Sequence, residues 1–272
     1  MYSRRCFVVL FLCLAVSVGV SATTNRAAAS STHAHALTTN VWRGLDIYYL
    51  RHGEMMGNIA ARYEKMKPEE RPPNWNSYSV FSELGVQQVS NIVKTLKGYH
   101  FDVIVVSPTW RTKQTILPYL KAHKRVAEIW PELTEISGAR APADNERATA
   151  DIMFGPPLVL ERDETQYFRA RGPAVTNLCK AANTYTDART LTAASARLLT
   201  ERYGNSGLSV LVVGHSVAGG ALLRYMAQLT SDEKFWLRNA SVSQLRQQPD
   251  GTFALVMVNG EPWRPSPART AP

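Results

Sequence analysis

Three short apolar runs, each followed by a stretch with helical spacing, constrain this 272-residue chain more than any other feature of its sequence. They lie at Leu45–Leu50, Asp102–Val106 and Leu208–Val213, and Val126–Trp130 is predicted to be a further strand. Short, continuously apolar runs are typical of strands buried on both faces. Their alternation with helices predicts an α/β protein of three layers, with a mostly parallel central sheet and helices on both faces.

The segments between the apolar runs are amphipathic. Ser82–Leu96 is an example, because its apolar residues recur at helical spacing and Gly98 follows as a stop signal. Helices are predicted at Asn58–Met66, Ser82–Leu96, Thr109–Lys121 and Thr190–Tyr203, and from Ser216 to about Leu229. Edge strands are predicted at Ser241–Leu245 and Phe253–Val258.

Residues 138–187 interrupt this alternation. The segment has poor periodicity and contains four prolines, which are Pro142, Pro156, Pro157 and Pro173. We interpret it as an inserted cap over the strand ends, within a single domain at residues 44–260. Residues 261–272 are predicted to form a Pro-rich tail.

The N-terminus has the pattern of a secretory signal peptide. Arg4 and Arg5 precede a 15-residue apolar run, Cys6–Val20, which is shorter than the ~20 residues that span a membrane. Cleavage after Ala22 would give an exported protein with no stable membrane span, and an uncleaved anchor is the alternative. Residues 23–43 are predicted to be a disordered lead-in. Cys179 would then be the one cysteine left, so no internal disulfide is expected.

The chain is basic, with a formal net charge of +9 at pH 7. A positive balance suits anionic ligands without identifying one. The sequence contains no basic run, RNA-binding signature or zinc-finger spacing, so nucleic acid is not an expected partner. Composition leaves the oligomeric state open.

Unusual polar residues follow three of the predicted strands. Arg51-His52-Gly53 follows Leu45–Leu50, and Ser107-Pro108 with Arg111 follows Asp102–Val106. Gly214-His215 follows Leu208–Val213. Because functional sites collect at the carboxyl ends of parallel strands, we expect these segments to meet at one rim of the sheet.

Two histidines and two arginines at one rim suit phosphoryl chemistry. Arginine binds phosphate oxygens in a bidentate fork, and a neutral imidazole can attack phosphorus to form a phosphohistidine. Nearby guanidinium groups keep that imidazole unprotonated, and fixed donors stabilise the charge on the transferred group. The leaving alkoxide needs a proton from a carboxylic acid. This scheme requires no metal or other cofactor.

Motifs in the right order resemble those of the histidine phosphatase superfamily, which includes the phosphoglycerate mutases. They are Leu50–Glu54 with Asn58, Ser107–Thr115, Glu132–Ile136 with Gly138, Val213–Ser216 and Asn239–Val242. The resemblance implies that His52 is the nucleophile and Glu135 the acid. It also implies that phosphate is bound by Arg51, Asn58, Arg111 and His215. Met55 departs from the pattern, because a serine or threonine is usual there, and Glu54 is a second candidate for the acid.

The expected activity is hydrolysis of a phosphomonoester, with a phosphorylated small molecule or a lipid phosphate as substrate. A mutase-type phosphotransferase and a non-catalytic phosphate-binding module are the alternatives, and export disfavours the mutase. Gly214–Ala218 also looks like the nucleophile elbow of a serine hydrolase around Ser216. That fold needs a histidine after the serine, and no histidine follows His215 in this chain.

Overall fold

The computed structural model describes residues 42–136, 160, 164–171, 185–230 and 235–264. Within these ranges one sheet of eight strands runs in the spatial order β4-β3-β2-β5-β1-β6-β7-β8. The strands are β1 Asp46–Arg51, β2 Val103–Val106, β3 Ala127–Ile129, β4 Phe168–Ala170, β5 Ser209–Gly214, β6 Val242–Gln247, β7 Phe253–Val258 and β8 Glu261–Pro262.

The strands from β4 to β1 are parallel to one another, whereas β6, β7 and β8 extend the sheet in antiparallel pairings. The predicted mostly parallel α/β sheet is therefore confirmed. The apolar runs form its centre, since β2 and β5 bury nearly every side chain. Strands covered on both faces need such sequences.

Five α-helices of the described residues cover the two faces of the sheet: α1 Glu83–Ser90, α2 Ile92–Thr95, α3 Trp110–His123, α4 Tyr185–Tyr203 and α5 Ser216–Met226. On one face, Ile92 of α2 and Ile116 of α3 pack on Val106 and Val213. The other face has its own core, in which α4 and α5 contribute Leu199, Leu222 and Leu223. Each face buries one stripe of its helices, as the predicted three layers require.

Several predicted elements differ from the structure. Neither predicted edge strand is the outermost strand, because β6 lies between β1 and β7, and β7 pairs with the two-residue strand β8. Phe168–Ala170, inside the predicted cap, joins the sheet beside β3. The first two residues of the predicted tail, Glu261 and Pro262, belong to the sheet, since they pair with β7. The helix predicted at Ser82–Leu96 is divided in two, with Asn91 between α1 and α2.

The helix predicted at Asn58–Met66 is a 3-10 helix, Met56–Arg62, so both its type and its bounds differ. Residues 1–41, most of the predicted cap and residues 265–272 lie outside the described residues. The signal peptide, the cleavage after Ala22 and the lead-in therefore stay predictions. In the part of the chain that is described, no helix is both long and apolar enough to cross a membrane.

The register of the parallel strands aligns the three predicted strand ends. Arg51 of β1 pairs with Gly214 of β5, and Val106 of β2 pairs with Val213. His52, Ser107 and His215 are the residues that follow these ends. Hydrogen bonding between the strands therefore brings the three segments to one edge of the sheet.

Two adjacent glycines of α5 differ in the space around them, which allows a test of how α5 packs on β1. A Cβ atom on Gly219 would lie 2.3 Å from the ring of Tyr49, whereas one on Gly220 would meet only the end of Arg224, at 3.4 Å. We expect Gly219→Ala to destabilise the protein by about 1–3 kcal/mol, because the buried Tyr49 ring must move.

The matched variant Gly220→Ala should raise stability by roughly 0.5–1 kcal/mol, since alanine favours a helix interior over glycine. Urea unfolding of both variants measures the difference. Equal effects of the two substitutions would contradict the close approach of α5 to Tyr49.

Candidate active site

The two predicted histidines meet at the carboxyl edge of the sheet. His52 follows β1 and His215 follows β5, and their ring centroids are 5.4 Å apart. Both side chains are buried. A cavity of about 410 Å³ opens beside them and is lined by Arg51, His52, Asn58, Arg111 and Glu135, together with Tyr78, Ile136, Ser216, Val217 and Trp236. The structure thus brings together all six residues proposed from the sequence.

A backbone contact determines the tautomer of His52. Its Nδ1 atom lies 2.7 Å from the carbonyl oxygen of Gly53. A carbonyl can only accept, so Nδ1 carries the proton and Nε2 keeps a free lone pair. The peptide of Gly53 is itself held, because its N–H donates to Thr115 Oγ1, 3.0 Å away. This chain of contacts orients the imidazole before any ligand arrives.

The surroundings keep both imidazoles neutral. Burial lowers the pKa of His52 well below its usual 6.5, and the charges of Arg111 and Arg51 lower it further. The pKa of His215 is lowered by burial first, then by Arg111, His52 and Arg51. A neutral ring with Nε2 free is the form of histidine that can act as a nucleophile.

His215 is held by contacts on both its backbone and its ring. Its Nε2 lies 2.8 Å from the hydroxyl of Ser107 and 3.4 Å from that of Thr109. Its backbone N–H donates to the hydroxyl of Tyr49, which in turn donates to the His215 carbonyl. Nδ1 has no hydrogen-bond partner among the described residues. A buried polar atom of this kind is free to meet a water molecule or a ligand.

Glu135 is anchored by one oxygen. Oε1 accepts from the backbone N–H of Ile136 and from that of Ala218 in the first turn of α5, each at 2.9 Å. Oε2 lies 4.0 Å from Nδ1 of His215. Because two donors occupy Oε1, Oε2 is the oxygen left for a further contact.

Glu54, the other candidate acid, is placed elsewhere. Its Oε1 accepts from the hydroxyl of Ser82, the residue that caps α1, at 2.7 Å. Glu54 does not belong to the described lining of the cavity. Of these two carboxyl groups, Glu135 is therefore the one that lies at the cavity.

The two arginines supply positive charge from different elements. Arg111 lies in the first turn of α3 with only 3% of its surface exposed. Arg51 ends β1, and its Nη1 donates to the carbonyl of Leu237 at 2.6 Å. Burial lowers the pKa of Arg51, with Glu135 acting in the opposite direction. Guanidinium groups beside a helix N-terminus suit an anionic group such as phosphate.

Asn58 lies at the cavity with its amide oriented by two donors. Its Oδ1 accepts from the N–H of Met55 at 2.9 Å and from the side-chain amide of Asn239 at 3.3 Å. The amide NH2 of Asn58 is therefore the group available to a ligand. Position 55 is a methionine, so it offers a ligand no hydroxyl, and its side chain is fully buried.

Sequence reasoning did not assign a role to Asn239. Its Nδ2 donates to the carbonyl of His52 at 2.9 Å as well as to Asn58. It therefore ties the peptide of His52 to the side-chain amide of Asn58. The motif Asn239–Val242 pointed to this segment, but contacts between residues 52, 58 and 239 cannot be read from a linear sequence. Thr115 and Tyr49 escaped prediction for the same reason.

The serine of the nucleophile-elbow pattern does not form a triad. Ser216 Oγ makes a long contact of 3.4 Å with the carbonyl of Leu237. The described residues contain no group of three or more His, Cys, Asp or Glu side chains that could hold a metal ion.

Buried imidazoles flanked by guanidinium groups, at the carboxyl edge of a parallel sheet, define an α/β protein suited to a phosphoryl group. A model of the histidine phosphatase superfamily (branch 1) matches residues 47–260. The chain therefore belongs to the histidine phosphatase superfamily, as its motifs predicted. A search of curated protein sequences found no match.

Solved structures of similar fold include three with TM-scores of 0.50 or above. A candidate alpha-ribazole-5'-P phosphatase from Escherichia coli has a TM-score of 0.51 at 16% identity, covering 81% of this chain and 98% of its own. YhfR from Bacillus stearothermophilus has a TM-score of 0.51 at 19% identity, with coverages of 80% and 97%. Mycobacterial hydrolase 1 has a TM-score of 0.50 at 18% identity, with coverages of 80% and 100%. At such identities the likeness concerns the fold.

The neutral histidines predict how stability depends on pH. The unfolded chain binds protons on His52 and His215 as the pH falls through about 6.5, whereas the folded protein does not. Their contribution is complete above that pH and is lost towards acid. Each histidine should lower the free energy of unfolding by about 1.4 kcal/mol per pH unit below pH 6.

His52→Gln removes one of these protons, so its free energy of unfolding should fall less steeply than that of the wild type. Urea unfolding between pH 6.5 and pH 5 measures both slopes. Identical slopes would show that His52 is protonated in the folded protein.

Proposed function

We propose that this protein hydrolyses a phosphomonoester through a phosphohistidine on Nε2 of His52. The observation that carries the proposal is the state of that ring, which is neutral, oriented by the Gly53 carbonyl and flanked by Arg51 and Arg111. Its membership of the superfamily supports the proposal, as does its structural likeness to a candidate alpha-ribazole-5'-P phosphatase.

In the first step, the phosphoryl group is bound by the two guanidinium groups and the amide of Asn58, with Nδ1 of His215 as a further donor. Nε2 of His52 forms a bond to phosphorus as the bond from phosphorus to the ester oxygen breaks. Oε2 of protonated Glu135 gives its proton to the departing oxygen, so an alcohol leaves. Fixed donors stabilise the charge on the transferred phosphoryl oxygens.

In the second step, water attacks the phosphohistidine. The Glu135 carboxylate takes a proton from that water, the bond between nitrogen and phosphorus breaks, and inorganic phosphate leaves. His52 returns to its neutral form and Glu135 to its protonated form. The same carboxyl group acts first as acid and then as base.

His52→Gln tests the nucleophile. Phosphate release from p-nitrophenyl phosphate should fall at least about 10³-fold, because glutamine cannot accept the phosphoryl group in place of the imidazole. Wild type that is quenched in alkali should contain a phosphoenzyme that is stable to alkali and labile to acid, and the variant should lack it. EDTA should leave the wild-type rate unchanged.

The control is His100→Gln, since the His100 side chain is 81% exposed and does not line the cavity. Retention of turnover by His52→Gln would overturn the proposal. If Ser216→Ala were inactive at the same time, serine-hydrolase chemistry would replace it.

Glu135→Gln tests the acid. The kcat for an alkyl phosphate should fall about 10²–10⁴-fold, because an alkoxide cannot leave unprotonated. Formation of the phosphoenzyme from p-nitrophenyl phosphate should fall much less, since nitrophenolate needs no proton. Glu54→Gln is the matched control and should show no such dependence on the leaving group. The reverse result for the two variants would move the acid to Glu54.

A further inference from the structure

A second and larger cavity adjoins the catalytic one. It has a volume of about 740 Å³ and lies between α4 and α5. We call it the α4–α5 groove. The apolar residues that line it include Ala188, Ala193, Val217, Ala221, Tyr225 and Phe235. The volume is that of a typical small-molecule site.

The groove is continuous with the catalytic cavity. Ile136, Ser216, Val217 and Trp236 line both. A ligand can therefore occupy the two spaces at once, with a phosphoryl group beside His52 and the rest of the molecule between the helices.

The position of Glu135 gives the direction in which a substrate extends. The acid must face the ester oxygen, so the alcohol portion begins at Glu135. The adjacent residue, Ile136, lines the groove. Oε1 of Glu135 accepts a hydrogen bond from the backbone N–H of Ala218 at the start of α5. The alcohol portion therefore passes between Ile136 and Val217 on its way out of the catalytic cavity.

The chemistry of the groove favours an uncharged hydrocarbon. Tyr225 and Trp236 are large apolar side chains that are 57% and 64% exposed. A bound hydrocarbon would cover these surfaces in place of water. Among the described lining residues there is no aspartate or glutamate to bind a cationic alcohol. The guanidinium of Arg224 lies over the Phe235 ring, 5.2 Å from its centroid, and burial lowers the pKa of Arg224.

We propose that the α4–α5 groove binds the alcohol portion of the substrate, and that this portion is an extended aliphatic chain. The proposal rests on the proposed function, since it assigns a substrate class to the same site. The lining also contains Thr190, Thr192, Ser216, Arg189 and Arg224, but these polar residues are the smaller part of it. A sugar or an amino acid would therefore bring several of its polar groups against alanine, valine and aromatic surfaces, where they would lose hydrogen bonds to water.

A series of monoalkyl phosphates below their micellar concentration tests the proposal. The ethyl, butyl and octyl esters share the reacting phosphoryl group and differ only in methylenes. Each methylene buried in the groove should favour binding by up to about fourfold. We expect kcat/KM for octyl phosphate to exceed that for ethyl phosphate at least about tenfold, and equal values would overturn the proposal.

A pair of alanine substitutions locates the effect. Ala221→Phe fills the groove from α5 and should remove the preference for octyl phosphate. Ala194→Phe is the matched control, because Ala194 lies on α4 but lines a neighbouring cavity instead of the groove. If Ala221→Phe does not fold, Tyr225→Ser at the exposed rim should weaken the preference. A preference for octyl phosphate that survives Ala221→Phe or Tyr225→Ser would overturn the proposal. So would a groove variant that changes the molar mass of the protein in solution instead of this preference.

Binding to His52→Gln separates this inference from the proposed function. Calorimetry should show octyl phosphate binding at least about tenfold more tightly than ethyl phosphate, whether or not the wild type turns over any ester. Absence of turnover with this binding difference would overturn the hydrolase and keep the groove. Turnover without the difference would do the opposite.

Discussion

The parallel pairing of β5 with both β1 and β2 is the constraint on which the site depends. It places Arg51 opposite Gly214 and Val106 opposite Val213, so the segments that follow end at the same edge. A slip of one residue would turn each side chain to the other face of the sheet. Tyr49 holds this register, because its hydroxyl bonds both backbone groups of His215 and its ring leaves no space for a Cβ atom at 214 or 219.

Positive charge is concentrated at this carboxyl edge of the sheet. Two guanidinium groups lie beside two imidazoles in a largely buried site, and repulsion is limited because both imidazoles stay neutral. That state also leaves Nε2 of His52 free to react. Arg51 and Asn58 are each held by a backbone group, so the proposed phosphoryl group would need little reorganisation of these two donors. Glu135 brings the one carboxyl group of the described lining, and α5 anchors it.

The elements that were predicted correctly are those with strong local signals. The apolar runs of β1, β2 and β5 are short and rich in β-branched or aromatic residues, which favours strands buried on both faces. β4 was missed since Phe168–Ala170 is too short to show a pattern, and it exists only because β3 offers an open edge. β6 was placed at an edge wrongly, because sequence order says nothing about which strand inserts beside β1.

The sequence by itself determined the class of fold and the superfamily, and it pointed to Arg51, His52, Arg111 and His215, since each lies in a local motif next to a recognisable strand. Only the tertiary structure placed Glu135 at the cavity and Glu54 at the start of α1, oriented His52 through Gly53, and brought Asn239 to Asn58. The physical reason is the separation along the chain over which each kind of signal acts. Periodicity and motifs are recorded over a few neighbouring residues, whereas hydrogen bonds and cavities join side chains that are distant in the chain and meet only when the sheet and helices pack.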